Sequence, residues 1–123
     1  MTTSGYPLML YVDSDPRLRR LADVTFRGEY IVESIASVDD MDGIDSRLEP
    51  VVAVVNLSES TDPSQIWDRL CQQWPTVPAV MVLTIEAAIE QDREVLWALG
   101  PASIVVNPFS GDAMRRGVAT ALS

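Results

Sequence analysis

The sequence predicts a doubly wound α/β fold: one domain built on a five-stranded parallel sheet, with helices covering both faces. Three observations carry this expectation. Five short apolar runs recur along the 123 residues, at 8–12 (LMLYV), 30–35 (YIVESI), 51–55 (VVAVV), 79–83 (AVMVL) and 103–106 (SIVV). Most lack the alternation of a half-exposed strand, as expected where helices shield both sides of a parallel sheet. Their starts lie 21 to 28 residues apart, room for one helix per gap, and the gaps carry helix start and stop signals.

The elements follow in order. After the first strand, DSDPRLRRLADVTFRG offers Asp15 as N-cap, Pro16 at the first helical position, an inward stripe of Leu18, Leu21, Ala22 and Thr25, and Gly28 as a stop. The second strand leads into 38–48, a poor helix candidate because Gly43 interrupts it. The third runs straight into Asn56. In TDPSQIWDRLCQQWP, Asp62 caps, Pro63 follows, Gln65 closes a capping box, and Ile66, Trp67, Leu70, Cys71 and Trp74 form one face before Pro75. The fourth strand ends on Thr84, and 89–100 reads as a helix stopped by Gly100. Asn107 follows the fifth strand, and 110–122 is a helix capped by Ser110, with Met114, Val118, Ala121 and Leu122 in register.

With right-handed crossovers, the carboxyl ends of the first and third strands meet at a topological switch point, where open α/β sheets bind ligands. Asp13, Ser14 and Asn56 fall there, with Thr84 and Asn107 at the neighbouring strand ends. Composition limits what they can do. Nine Arg and no Lys oppose eighteen acids, a net charge of -9, which argues against direct nucleic-acid or anionic-membrane binding. There is no His, so the commonest acid–base group and metal ligand is missing. Cys71 is alone, so no internal disulfide forms. No apolar stretch approaches the ~18 residues of a membrane span, and Met1 to Pro7 lacks the pattern of a secretory signal. A cytoplasmic, non-enzymatic protein is expected.

This order of features resembles the receiver domain of two-component response regulators over essentially the whole chain. LYVDSDP is similar to the family's acidic pair after the first strand, with Asp13 on the leading acid and Ser14 on the second. PVVAVVNLSE places Asn56 on the phospho-accepting aspartate. PAVMVLT keeps the hydroxyl as Thr84, and LGPASIVVNPF keeps Pro108 and Phe109 but puts Asn107 on the lysine. The family's switch aromatic falls on Ile104. The resemblance implies a flavodoxin-like (CheY-like) fold, five β-α units with strand order 2-1-3-4-5.

The departures bear on chemistry. Phosphoryl transfer to a carboxylate needs a charged oxygen nucleophile, a Mg²⁺ to gather the phosphoryl oxygens and a cation for the developing charge. Asn56 replaces the nucleophile with an amide, Asn107 replaces the cation, and Asp13 alone remains of three carboxylates. Asp13 and Asp15 are the only weak possibility for a metal, although Asp15 before a proline is better explained as an N-cap. No cofactor is expected. The implied protein is a pseudo-receiver: a degenerate site of Asp13, Ser14, Asn56, Thr84 and Asn107 knit by neutral hydrogen bonds, working through protein contact. Its partner would be a signalling protein, an attached output domain or a second copy. Asp92, Arg93, Trp97, Ile104, Arg115 and Arg116 are the candidates on the family's usual docking face. Two other readings compete: a small-ligand module using the switch-point crevice, and a phosphorylatable receiver with an unusual acidic site.

Overall fold

The computed structural model describes residues 5–44, 49–57, 63–90, 93–106 and 110–123. Five strands, β1 (Leu8–Val12), β2 (Ile31–Ile35), β3 (Val52–Asn56), β4 (Ala79–Leu83) and β5 (Ser103–Val106), form one sheet in the order β2-β1-β3-β4-β5. Every pairing is parallel, and the register places Val12 beside Ile35 and Val55, and Asn56 beside Val82. The predicted sheet and its order are those observed. Helices α1 (Pro16–Thr25), α2 (Pro63–Gln73), α3 (Ile85–Glu90), α4 (Arg93–Ala98) and α5 (Gly111–Leu122) flank it.

Two apolar cores lie on opposite faces of the sheet, because successive strand residues point to opposite sides. Leu10, Val12, Val55, Met81 and Leu83 face one way and pack with Trp67, Leu70 and Trp74 of α2 and Leu96 of α4. Met9, Tyr11, Val52, Val54 and Val82 face the other and pack with Ala22 of α1, Phe26 just beyond it, and Met114 and Val118 of α5. Phe26 also meets Tyr30 edge to face, with ring centroids 5.6 Å apart. On α5, Gly117 lies directly against β5: a Cβ there would overlap Val105 Cγ2. This close approach lets the buried Ser103 hydroxyl donate to the Gly117 carbonyl at 2.7 Å.

The caps read from sequence are seen at both ends of the chain. The Asp15 side chain accepts from the Arg17 amide at 2.8 Å and precedes Pro16. Ser110 Oγ accepts from the Ala113 amide at 3.1 Å. Gly28 and Gly100, with φ of 85° and 92°, turn the chain after α1 and α4 in the left-handed region that L side chains avoid.

Four expectations are corrected. The helix foreseen over 89–100 starts earlier: helical structure begins at Ile85, directly after Thr84 caps it, and is described as α3 and α4, with residues 91 and 92 outside the described ones. Segment 38–48 supplies a single 3₁₀ helix at Val38–Gly43, capped by Ser37, while 45–48 lie outside the described residues. Cys71 and Leu122, placed on inward faces by periodicity, are exposed. Edge strand β2 exposes Ile31, Glu33 and Ser34, since it has a neighbour on one side only. Asp62, like Ser58, Ser60 and Thr61, lies outside the described residues. Among the described residues no helix is long and apolar enough to cross a membrane.

Candidate functional site

The carboxyl ends of β1 and β3 are adjacent in the sheet, so the residues that follow them share one rim. Asp13 follows β1 directly and is buried, only 2% exposed. A buried carboxylate is costly unless its lone pairs are filled, and here three donors fill them. The Asn56 amide donates from Nδ2 to Asp13 Oδ2 at 2.9 Å. The Tyr11 hydroxyl donates to the same oxygen at 3.0 Å. The Asp15 backbone amide donates to Asp13 Oδ1 at 2.9 Å. Asp13 is further fixed through its backbone: its amide donates to the Ile35 carbonyl at 3.0 Å, and its carbonyl accepts from Arg19 Nη1 at 2.7 Å.

The orientation of Asn56 follows from this neighbour. An ionised carboxylate can only accept, so the amide must turn its NH₂ toward Asp13. Tyr11 was not read as a site residue from sequence. It stands two residues before Asp13, and i and i+2 share a strand face, so its ring passes through the core on the α1/α5 side and its hydroxyl surfaces beneath Asp13. Burial, reinforced by the negative charge of Asp13, pushes the phenol well above the ordinary tyrosine range, so it remains a donor at physiological pH.

The other candidates are distributed around this knot. Ser14 is exposed on the rim. Thr84 ends β4 with its Oγ1 accepting from the Ala87 amide at 3.2 Å, as the cap of α3. Asp15 is engaged by Arg17, whose side chain and backbone amide hold its carboxyl below the usual range. Asn107, with Pro108 and Phe109, lies outside the described residues. The donor set therefore does not fit Mg²⁺, which demands several hard oxygens in octahedral array. Among the described residues Asp13 is the single carboxylate at the knot and both its oxygens already take hydrogen bonds, while that of Asp15 is paired with Arg17.

Beside the knot a cleft of about 780 Å³ opens between α1, the 3₁₀ helix and α2. Asp13, Asn56 and Thr84 line one end of it, and Val38, Ile66 and Arg69 the other. A shallower depression of about 340 Å³ lies between α4, β5 and α5, lined among others by Trp97, Ile104, Val106, Arg116 and Thr120. Trp97 is 51% exposed there. Arg115, expected on the same face, is turned to the other side of α5: its guanidinium donates to the Thr25 carbonyl at 2.9 Å and pairs with Glu29 at 3.5 Å. One helical step of about 100° separates it from Arg116. Asp92 lies outside the described residues, and Arg93 opens α4.

The fold is that of CheY-like receiver domains. The chain superposes on the chemotaxis response regulator CheY4 of Vibrio cholerae with a TM-score of 0.76 at 20% identity, covering 95% of this chain and 99% of that one. The receiver domain of NtrX from Brucella abortus matches with a TM-score of 0.72 at 20% identity, covering 93% and 97%. A structure described as adenylate cyclase from Rhodopirellula baltica matches with a TM-score of 0.76 at 12% identity, covering 95% and 87%. No protein-family model and no curated protein matches the sequence.

Proposed function

We propose that the chain is a phosphorylation-independent receiver domain: a signalling module of receiver fold that acts by protein contact and performs no catalysis of its own. The observation that carries this reading is the Asn56 amide at the tip of β3, donating at 2.9 Å to Asp13. An amide oxygen carries no formal charge and is a poor nucleophile toward phosphorus, and no lysine exists anywhere in the chain to neutralise the transferred group. The site is instead a knot of hydrogen bonds around the Asp13 carboxylate that fixes the ends of β1 and β3 in one arrangement.

The contact surface in this reading is the α4–β5–α5 face, where Trp97, Ile104 and Arg116 surround the 340 Å³ depression. An exposed tryptophan beside an arginine is the composition of a binding hot spot. The partner is a signalling protein or an output domain carried on the same polypeptide; one of the matched structures, full-length NtrX, is longer, and this chain covers 27% of it. A protein of this kind works in the cytoplasm.

The test is incubation with acetyl phosphate and Mg²⁺, read by intact mass. The expected result is an unmodified chain under conditions that label an ordinary receiver assayed in parallel. A single phosphoryl adduct, released by hydroxylamine as an acyl phosphate would be, overturns the reading.

A further inference from the structure

The 780 Å³ cleft beside the knot falls within the range of small-molecule sites, roughly 300–1,000 Å³. The connection from β2 to β3 supplies the 3₁₀ helix Val38–Gly43 on one side of it. Val38 and Ile66, both partly buried, face this space, and the packed side chains of Val12, Leu18 and Val55 border it. Around these side chains the rim is polar: Asp15 pairs with Arg17, Arg69 with Asp42, and Asp13 takes three hydrogen bonds. The rest of the polar lining is the Asp39 carboxylate with hydroxyl and amide groups, including Ser37, Gln65 and Thr84.

The lining also selects against anions. Helix N-termini hold phosphate through unpaired backbone N–H groups. At α1 the first helical residue is Pro16, which has no N–H, and the Arg17 amide is bound to the Asp15 carboxylate. Asp13, Asp15 and Asp39 outnumber Arg17 and Arg69 around the same space, in a chain of net charge -9. An apolar floor, an amide and hydroxyl rim and this field are complementary to one kind of occupant.

We propose that this cleft binds an uncharged or weakly basic, partly apolar organic molecule of drug-like size, seated on Val38 and Ile66 with its polar end toward Asn56 and Thr84. The inference does not depend on the phosphorylation-independent reading. A chain that takes phosphate and binds no dye loses that reading and this one separately, since adduct mass and dye affinity are different measurements.

The full chain would be titrated with neutral Nile red and with the anionic dye 1-anilinonaphthalene-8-sulfonate, following fluorescence and backbone amide shifts. The expected outcome is saturable one-to-one binding of Nile red, about tenfold or more tighter than the sulfonate, with amide shifts concentrated at Val38, Asn56 and Ile66. Val38→Phe, which fills the floor, and Ser14→Phe, which obstructs the exposed rim, should each weaken Nile red by about tenfold. The second variant alters a surface position and so retains the fold if the first does not. Equal affinity for the two dyes, absence of saturation, shifts confined to the Trp97 and Ile104 depression, or undiminished binding by the folded variants would overturn the proposal.

Discussion

Replacing Asn56 by aspartate restores the residue type that a phosphorylatable receiver carries, and the geometry gives the outcome. The Asn56 nitrogen lies 2.9 Å from Asp13 Oδ2, so the substitution turns a donor–acceptor contact into two acceptors in contact. Two unit charges about 4 Å apart at an effective dielectric near 20 repel by roughly 4 kcal/mol. The alternative, holding a proton on a carboxyl of ordinary pKa at pH 7, costs about 4 kcal/mol as well. Loss of the hydrogen bond adds about 1 kcal/mol, while relaxation and solvent entry return part of the total, so a net loss of roughly 2–4 kcal/mol is expected at pH 7. For a domain of this size that corresponds to a fall in Tm of about 10 °C. The pH dependence fixes the cause. The folded-state pKa of the new carboxyl is raised above its unfolded value, so the deficit relative to wild type is smallest below about pH 4 and grows as pH rises through that value. Thermal unfolding of both proteins between acid and neutral pH, with labelling by acetyl phosphate alongside, measures all of this. A stability equal to or above wild type at pH 7, or a deficit that widens toward acid, would refute the reasoning.

Three further outcomes follow from the same contacts. Tyr11→Phe removes one of the two donors on Asp13 Oδ2 without changing core volume, and denaturant unfolding should register a loss of about 1–3 kcal/mol. Gly117→Ala forces a methyl into Val105 and should cost about 1–3 kcal/mol, with most of the loss recovered in the double variant Gly117→Ala with Val105→Ala; absence of recovery would separate helix distortion from overlap. Trp97→Ala should change unfolding stability by no more than about 0.5 kcal/mol, since half the side chain is in solvent, yet weaken partner capture or self-association by about tenfold or more, read by ultracentrifugation or pull-down with the output domain.

The sheet was legible because its signal is redundant. Each of β1, β3 and β4 is an apolar run buried on both faces, so strand identity did not depend on a single residue, while the order 2-1-3-4-5 came with the family resemblance. Asp15 and Ser110 were legible as caps because an oxygen one position before a helix has a local job that sequence distance alone defines. What escaped was set by packing across the sheet. Cys71 and Leu122 keep helical periodicity with buried neighbours but sit at the margins of the stripe, where periodicity cannot say how wide the covering surface is. Arg115 and Arg116 are equivalent in sequence, and only the position of α1 beside α5 sends the first to Thr25 and leaves the second on the opposite side. Tyr11 read as one more apolar strand residue. Its parity with Asp13 was a usable signal, since a phenol buried on the face of a buried acid needs an acceptor.

The persistence of Asp13 is the part of the site that most constrains its interpretation. A chain with an amide at the tip of β3 and no lysine would gain by neutralising this buried acid, were the carboxylate idle. Asp13 instead collects donors from β1, from β3 and from the entry to α1, and its backbone joins β2 through Ile35 and α1 through Arg19. The carboxylate is tolerated in a 2% exposed position only while these donors are present. Position 56 is thereby bound to position 13: an amide there completes the set, and an acid there would need a metal or a cation that this lining has no means to hold. The same dependence accounts for Tyr11, whose hydroxyl would have no reason to reach the rim in a site where Asp13 faced a cation. Tyr11, Asp13 and Asn56 thus form a fixed joint between the neighbouring strands β1 and β3.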